Sequence, residues 1–291
     1  MPRPHRLGAG GELSRAGERI AALPMYDLPE LRPATDRLWQ AVALRLRTAG
    51  VPGVPAELRR GDDLIGLWTD PGLLLAQACG LPFTTLLADR VRFVATPAYA
   101  ISGCEGGSYR SWVVVREGAS TTSLAELEGS RAAVNAPHSQ SGANALAAAT
   151  VPFAAGRPFF SGIVETGAHA ASLAAVREGR ADCAAIDCVT FALLARHRPA
   201  AVAGLRVLAA TPPAPALPLV TAAGTGRRTV AALRRALAAA IADPALAATC
   251  DALGLAGIAV GDGRAYGRIR AMHRAARTRG CARLASFMIK G

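Results

Sequence analysis

The stretch RAAVNAPHSQSGANALAAAT, residues 131–150, predicts a β-strand, a polar turn and an α-helix in immediate succession. The same succession recurs along the chain. Strands are predicted at VRFVAT (91–96), YRSWVVVR (109–116) and CAAID (183–187), and helices at HAASLAAVREG (169–179) and CVTFALLARH (188–197). Strands that alternate with helices predict an α/β fold in which mostly parallel sheets are flanked by helices on both faces.

Two segments have the composition of passages between domains. One is the strand YRSWVVVR, which follows the glycine-rich loop SGCEGGS, and the other is the proline-rich run 211–218, which precedes the strand PLVTAA. If both are crossovers, the chain forms two lobes: residues 19–108 and 212–291 form lobe I, and residues 109–211 form lobe II. Residues 1–18 are an N-terminal extension that is expected to be disordered. Two α/β lobes joined by two crossovers predict a clamshell that closes on a ligand by hinge motion.

The charge of the chain raises the question of a nucleic-acid partner. The formal net charge is +12, but the basic residues are almost all arginines spread through predicted helices, and Lys290 is the only lysine. The densest group lies on a predicted C-terminal helix and comprises Arg264, Arg268, Arg270, Arg274, Arg277, Arg279 and Arg283. This helix could touch an acidic surface, but we interpret it as a solvated face and expect no nucleic-acid partner.

No membrane insertion is expected from the residues. The first 20 residues include basic side chains but no apolar run of the length that a secretory signal needs. The long uncharged run 207–224 is interrupted by Pro212, Pro213, Pro215 and Pro218, which exclude a continuous spanning helix. These features predict a soluble protein.

The six cysteines show neither a CxxC pair nor the spacing of metal ligands, so no metal and no cofactor are expected. Buried, reduced thiols are the default interpretation. One disulfide hypothesis remains to be tested, between Cys79 and Cys104, because both lie at the ends of elements in the same half of the chain.

Candidate ligand contacts follow the strands and precede the helices, since ligands of open α/β sheets bind at the carboxyl ends of strands. Ser139 or Ser141 can cap the helix that begins near Gly142, and Gln140 and His138 add further donors. Hydroxyls and free N–H groups at the positive end of a helix form an anion site. The alternative is an ordinary helix cap without a ligand role.

Two further positions in lobe II have the same placement. His169 and Ser172 stand at the start of the helix after the strand that ends at Thr166 and Gly167, and a helix N-terminus favours a neutral imidazole. Asp187 ends the strand CAAID, where it serves either as a helix cap or as a carboxylate in the cleft that receives an ammonium or hydroxyl group.

Lobe I contributes mainly aromatic candidates. The first predicted strand lies in the apolar run RIAALPMY (19–26), and Tyr26 and Asp27 stand in the loop after it. Trp68 and Thr69 are placed directly before a helix with Pro71 in its first turn. Tyr99 follows VRFVAT, and Tyr109 opens the first crossover. Phenols and an indole bring apolar surface plus one donor each, which suits a small organic ligand. The alternative for Trp68 is simple packing beneath its loop.

Taken in order, the segments LPMYDLPE, LWTDPGLLLAQACGLP, GCEGGSYRSWVVVR, NAPHSQSGANAL, TGAHAAS and GRADCAAIDCVTFALL resemble the phosphate- and phosphonate-type substrate-binding proteins of ABC importers. The resemblance covers residues 19 to 222 and implies a type II periplasmic-binding-protein fold and an ABC permease as partner. It implies that Ser139, Ser141 and Gly142 hold phosphonate oxygens with Gln140 alongside, and that Tyr26 and Tyr109 line the cleft. It further implies that Asp187 meets the cationic or polar end of an anionic or zwitterionic ligand.

Two other functions are weighed against this one. The first is a cytoplasmic enzyme of cofactor biosynthesis on the same fold, in which His138, His169 and Asp187 act as acid/base groups or metal ligands. The compartment therefore stays open, periplasmic by resemblance and cytoplasmic if no export signal exists. The second is the effector domain of a transcription regulator, which is set aside because only 18 residues precede the first strand, too few for a helix-turn-helix.

Overall fold

A computed structural model describes residues 19–154 and 157–278. The predicted extension of residues 1–18 and the arginines beyond residue 278 lie outside the described residues. In chain order the strands are β1 (Ile20–Ala22), β2 (Leu73–Gln77), β3 (Val91–Tyr99), β4 (Ser108–Tyr109), β5 (Ser111–Arg116), β6 (Arg131–Val134), β7 (Gly162–Glu165), β8 (Cys183–Asp187), β9 (Leu205–Ala210), β10 (Ala214–Pro215), β11 (Leu219–Ala222) and β12 (Leu255–Ala259). The α-helices are α1 (Arg32–Thr48), α2 (Leu64–Thr69), α3 (Gly80–Thr84), α4 (Ala145–Thr150), α5 (His169–Arg177), α6 (Cys188–His197), α7 (Arg227–Ile241), α8 (Ala247–Leu253) and α9 (Gly267–Thr278).

Two five-stranded sheets form the centres of two lobes. The sheet of lobe I has the order β1-β2-β11-β3-β12, and the sheet of lobe II has the order β7-β6-β8-β5-β9. The short strands β4 and β10 pair with each other, with Tyr109 opposite Ala214, so the two predicted crossovers run side by side.

The sheets are mixed, whereas the alternation of strands and helices predicts mostly parallel ones. In lobe II, β6 pairs in parallel with β7 and β8, but β5 is antiparallel to both β8 and β9. In lobe I, β11 is antiparallel to β2 and β3. β12 is likewise antiparallel to β3. The reversed strands β5 and β11 directly follow the crossover strands β4 and β10, so no helix precedes them to return the chain to the same end of the sheet.

Each lobe has its own apolar core. On α1, the buried residues Leu38, Val42 and Leu46 recur with helical spacing and pack with Leu233 and Leu237 of α7 over the sheet of lobe I. In lobe II the strand β8 is buried along its whole length, as expected for a central strand covered on both faces.

The run LLLAQ was misassigned from the sequence. It was expected to be a helix with Pro71 in its first turn, but it forms the strand β2, and Trp68 and Thr69 end the preceding helix α2. All five residues of β2 are buried, so the run carries no alternation that distinguishes a strand from a buried helix. The turn at Pro71 and Gly72 separates the two elements.

Helix α9 lies between the lobes. Its Ile269 belongs to an apolar cluster that includes Leu81 of α3 and Leu146 of α4, and its carbonyl accepts a hydrogen bond from Asn144 Nδ2 at 3.3 Å. The arginines 268, 270, 274 and 277 are exposed on the remaining surface of this helix, as a solvated face requires. Within the described ranges, no single helix is long and apolar enough to span a membrane, while the bent pair Arg227–Ile241 and Pro244–Leu253 meets that test only as a pair.

Candidate ligand-binding site

A cavity of about 490 Å³ opens between the lobes. From lobe I it is lined by the loop after β1 and by Trp68, and from lobe II by the residues that follow or end β6, β7 and β8. Of the predicted contacts, those that line it are Tyr26, Asp27, Trp68, Ser139, Ser141, His169 and Asp187.

The two serines of the polar turn have different partners. Ser139 precedes a π-helical turn (Gln140–Asn144) that continues into α4, and its Oγ accepts a hydrogen bond from Gly142 N at 2.9 Å. Ser139 is therefore the helix cap. Ser141 Oγ instead lies 2.8 Å from His169 Nε2, so it links the helix starts of two neighbouring strand–helix units.

Gly142 lies in the π-helical turn and is not one of the residues that line the cavity. A Cβ at this position would meet Asn135 Oδ1, so glycine lets the Asn135 side chain lie close to the start of the helix. Gly142, which the resemblance implied as a ligand contact, is therefore absent from the cavity lining among the described residues.

Replacing Ser139 with alanine is expected to lower the free energy of unfolding by about 0.5–2 kcal/mol, because the Gly142 N–H loses its acceptor. Ser139→Thr keeps an oxygen on the side chain and should restore most of that loss. Urea unfolding measures both. Equal stability of Ser139→Ala and the wild type would contradict the capping role.

His169 is the first residue of α5, whose N-cap residue, Ala168, provides no side-chain acceptor for the first turn. Burial lowers the pKa of His169 from 6.5 to about 4, so the ring is neutral near pH 7. Ala168, His169 and Ala170 all line the cavity. A helix start without a capping side chain presents N–H donors and a positive dipole end toward the cavity, which favours an anion.

Asp187 combines the two roles that the sequence left open. Its Oδ1 accepts hydrogen bonds from Val189 N at 2.8 Å and Thr190 N at 3.0 Å, which caps α6. Its Oδ2 accepts a hydrogen bond from the Tyr26 hydroxyl of lobe I at 3.0 Å. The carboxylate is only 2% exposed and lines the cavity, so one oxygen holds the helix while the other faces the opposite lobe.

The protonation of Asp187 affects stability in a defined direction. Burial raises the pKa of Asp187 from 3.8 to about 6, against the opposing effect of its three hydrogen-bond donors. A raised carboxyl pKa means that the folded protein holds the proton more tightly than the unfolded chain. Its stabilising contribution is present below about pH 4 and is lost as the pH rises through about 6.

We therefore expect the stability of the wild type, relative to Asp187→Asn, to fall between pH 4 and pH 7, because only the wild type must ionise a buried carboxyl group over that range. Urea unfolding of both proteins at each pH measures the difference. A difference that is independent of pH would show that Asp187 does not titrate in this range.

Asp27 is already neutralised by its neighbours. Its Oδ2 accepts hydrogen bonds from Arg32 Nε at 3.2 Å and Arg60 Nε at 2.9 Å. The nearby guanidinium groups compensate its charge, although Asp27 lines the cavity. Asp187 and Glu165 are the other carboxylates of the lining, which contains no arginine or lysine among the residues that the structure describes.

Four other predicted contacts lie away from the cavity lining. The Thr69 hydroxyl donates to Ile65 O of its own helix at 2.8 Å. Gln140 is fully buried, where its N–H donates to Cys79 Sγ at 3.3 Å and its Oε1 accepts from Asn144 Nδ2 at 2.6 Å. Tyr99 packs edge-on against the Tyr26 ring at 5.5 Å between centroids.

Tyr109, the fourth, is 2% exposed, and its hydroxyl is buried. Burial and the nearby Asp187 carboxylate raise the pKa of Tyr109. Trp68 lines the cavity and is also buried, as the packing alternative predicts. It is 1% exposed, and its Nε1 donates a hydrogen bond to Gln77 O at 3.1 Å.

The lining residues that were not among the predicted contacts include Glu165 and Asn135. Glu165 ends β7 and Asn135 directly follows β6, so both lie at the carboxyl end of a strand, which is the criterion by which Asp187 was predicted. Applying that same positional rule to every strand would have found them. His138, which was considered as an acid/base group, also lines the cavity, and burial lowers its pKa.

The family model for the periplasmic phosphonate substrate-binding protein of ABC transporters matches residues 73–266. The chain belongs to this family. Its members are substrate-binding transport proteins, which confirms the prediction of a solute-binding protein and does not favour the enzyme alternative. Within the described residues, no group of three histidine, cysteine or acidic side chains could hold a metal ion.

Solved structures of other members of this fold agree with the two-lobed architecture. PhnD1 from Prochlorococcus marinus, in complex with methylphosphonate, shares 15% identity with a TM-score of 0.70 over 90% of this chain and 99% of its own. A binding-protein component of an ABC phosphonate transporter from Pseudomonas aeruginosa shares 16% identity with a TM-score of 0.68 over 94% of both chains. An ancestral arginine-binding protein bound to arginine shares 16% identity with a TM-score of 0.56 over 81% of this chain and 97% of its own.

The similarity to these structures confirms the type II periplasmic-binding-protein fold for this member of the phosphonate-binding family. A comparison with the curated proteins gives no match.

Proposed function

We propose that the protein captures a small zwitterionic phosphonate or phosphate ester between its lobes. The observation that carries this proposal is the pairing, in one cavity, of hydroxyl and N–H donors with a carboxylate, without an arginine or lysine among the described lining residues. Donors suit the anionic end of the ligand, and the carboxylate suits an ammonium group at its other end.

The anionic end is assigned to the start of α5 and the serine turn. Ser141 Oγ and the first-turn N–H groups of α5 supply hydrogen bonds, and the Ser139 hydroxyl keeps a proton to donate while its oxygen accepts from Gly142. His169 is neutral and therefore adds a polar ring without a full positive charge. Such a site binds an anion through dipoles, as helix N-termini do elsewhere.

The cationic end is assigned to Asp187, with Glu165 as a second carboxylate of the lining. A simple dianion in this cavity would meet both carboxylates without a compensating side-chain cation. An ammonium group on the ligand removes that repulsion and forms a charge-assisted hydrogen bond. A zwitterion therefore fits the lining better than phosphate alone.

Closure of the two lobes is supported by polar contacts between them. The Tyr26 hydroxyl donates to Asp187, and Arg198 at the end of α6 forms two hydrogen bonds with Glu30 of lobe I at 2.7 and 2.9 Å. These contacts form only when the lobes are together, so they favour the closed state that retains a ligand. We propose the lobe boundaries 19–108 with 212–291, and 109–211, with hinge motion at the paired strands β4 and β10.

The proposed partner is an ABC permease, which receives the ligand from the closed protein. The family to which the chain belongs is described as periplasmic, and we propose that compartment for this protein. The cytoplasmic alternative is not supported by the family match.

Titration calorimetry with three matched probes tests the ligand class. We expect 2-aminoethylphosphonate to bind most tightly, and ethylphosphonate and inorganic phosphate to bind at least about 10-fold more weakly, because they lack the ammonium group. Equal or tighter binding of ethylphosphonate would contradict the zwitterion assignment. Absence of binding by all three at millimolar concentration would contradict the phosphonate proposal as a whole.

A further inference from the structure

Two cysteines of different lobes lie in contact outside the polar lining of the cavity. Cys104 Sγ, in the loop between β3 and β4, is 3.5 Å from Cys188 Sγ, at the first residue of α6. The disulfide hypothesis from the sequence paired Cys104 with Cys79 instead, but the Cys79 thiol accepts a hydrogen bond from the Gln140 N–H at 3.3 Å. The fold places Cys104 beside α6, a contact that the order of residues does not reveal.

The backbone holds both thiols in position. Cys104 N donates to Ile101 O at 2.9 Å, and Cys188 N donates to Arg110 O at 3.1 Å. Gly103, which directly precedes Cys104, has a φ of +92°. A Cβ at this position would lie 2.7 Å from Trp112 Cζ2 and 3.0 Å from Cys188 Cβ. Glycine thus allows the loop to fold closely over α6, which sets the two sulfur atoms side by side.

The remaining described cysteines lack a comparable neighbour. Cys183 Sγ and Cys250 Sγ contact the carbonyls of Arg131 and Ile241, at 4.0 and 3.8 Å. Cys104 is partly exposed while Cys188 is buried, so an oxidant reaches the pair through Cys104.

We propose that Cys104 and Cys188 are a reversible disulfide site that ties the β3–β4 loop of lobe I to helix α6 of lobe II. The oxidant is a low-molecular-weight or protein disulfide. The Cys104 thiolate attacks one sulfur of that disulfide and releases one thiol, and the Cys188 sulfur then attacks Cys104 Sγ and releases the second thiol. Two thiols are oxidised, one external disulfide is reduced to two thiols, and the two cysteine protons end on those released thiols.

The bond would restrain the movement of the lobes. Cys188 directly follows Asp187, whose Oδ2 meets Tyr26 of lobe I, so the covalent link lies next to a contact of the closed state. The link closes a loop with a sequence separation of 84 residues, which reduces the freedom of the unfolded chain. Oxidising compartments, the bacterial periplasm among them, allow such bonds to persist.

The test uses the full chain and glutathione disulfide as the oxidant. After oxidation, alkylation and proteolysis, mass spectrometry should detect a peptide pair joined through Cys104 and Cys188, and dithiothreitol should remove it. The pair should persist in Cys79→Ser, the matched control, and disappear in Cys104→Ser. Full alkylation of Cys104 and Cys188 in oxidised, folded wild type would overturn the proposal, as would linkage of Cys104 to another cysteine.

A second measurement tests whether the link stabilises the folded protein, and it does not depend on the ligand. Oxidation should raise the thermal unfolding midpoint of the wild type and of Cys79→Ser by about 5 °C, and leave that of Cys104→Ser unchanged. A linked wild type without a higher midpoint would contradict the stabilising effect expected of the link. Because neither measurement uses a phosphonate, failure here leaves the proposed function untouched, and the reverse also holds.

Discussion

Replacing Asp187 with asparagine is expected to lower the affinity for 2-aminoethylphosphonate by about 100-fold, because the buried partner of the ligand ammonium loses its charge. Asparagine retains an oxygen that can accept the N–H groups of Val189 and Thr190, so the cap of α6 is preserved. Ethylphosphonate, which has no ammonium group, should bind the variant at least as tightly as the wild type, because the repulsion from the Asp187 carboxylate is lost. Titration calorimetry at pH 7.5 compares the two ligands.

The matched control is Asp27→Asn. Asp27 is also a carboxylate of the cavity lining, but Arg32 and Arg60 already compensate its charge, so its loss should change the affinity by less than about fivefold. If Asp27→Asn weakens 2-aminoethylphosphonate more than Asp187→Asn does, the cationic end of the ligand lies at Asp27 and our assignment is wrong.

Replacing Ser141 with alanine is expected to weaken every phosphonate by about 10- to 100-fold, whether or not the ligand carries an ammonium group. The hydroxyl is a donor to the anionic end, and hydrogen bonds to charged groups contribute more than neutral ones. The substitution also leaves His169 Nε2 without its partner at 2.8 Å, so urea unfolding is measured in parallel to separate affinity from stability.

Ser172→Ala provides the control for that experiment. Ser172 is also a buried serine with a side-chain partner, Thr166 Oγ1 at 2.7 Å, but it does not line the cavity. Its loss should affect stability and leave ligand affinity unchanged. Equal affinities of Ser141→Ala and the wild type would place the anion elsewhere.

The alternation of strands and helices could be predicted because local patterns determine it. CAAID and CVTFALLARH form β8 and α6 with the expected bounds, since a buried apolar run followed by a capping residue and a helical period is a local signal. The run LLLAQ was wrongly predicted as a helix, because a short segment that is buried throughout shows neither the alternation of a strand nor the spacing of a helix. The strands β9 and β12 were missed for a related reason, since both are only partly buried strands with weak patterns.

The site was predictable to the extent that chain position determines it. Ser141, His169 and Asp187 follow strands, and the structure places all three in one cavity lining. Gln140 and Thr69 stand beside such residues in the sequence, yet their side chains turn to the protein interior or to their own helix. The contacts between lobes, from Tyr26 to Asp187 and from Cys104 to Cys188, join residues that are 161 and 84 positions apart, and only the tertiary structure reveals them.

A crystal structure of the protein with 2-aminoethylphosphonate tests the central claim most directly. The account predicts closed lobes, phosphonate oxygens within hydrogen-bond distance of Ser141 Oγ and the first-turn N–H groups of α5, and the ammonium group in contact with Asp187. A ligand bound in the reverse orientation, or outside the cleft between the lobes, would contradict it.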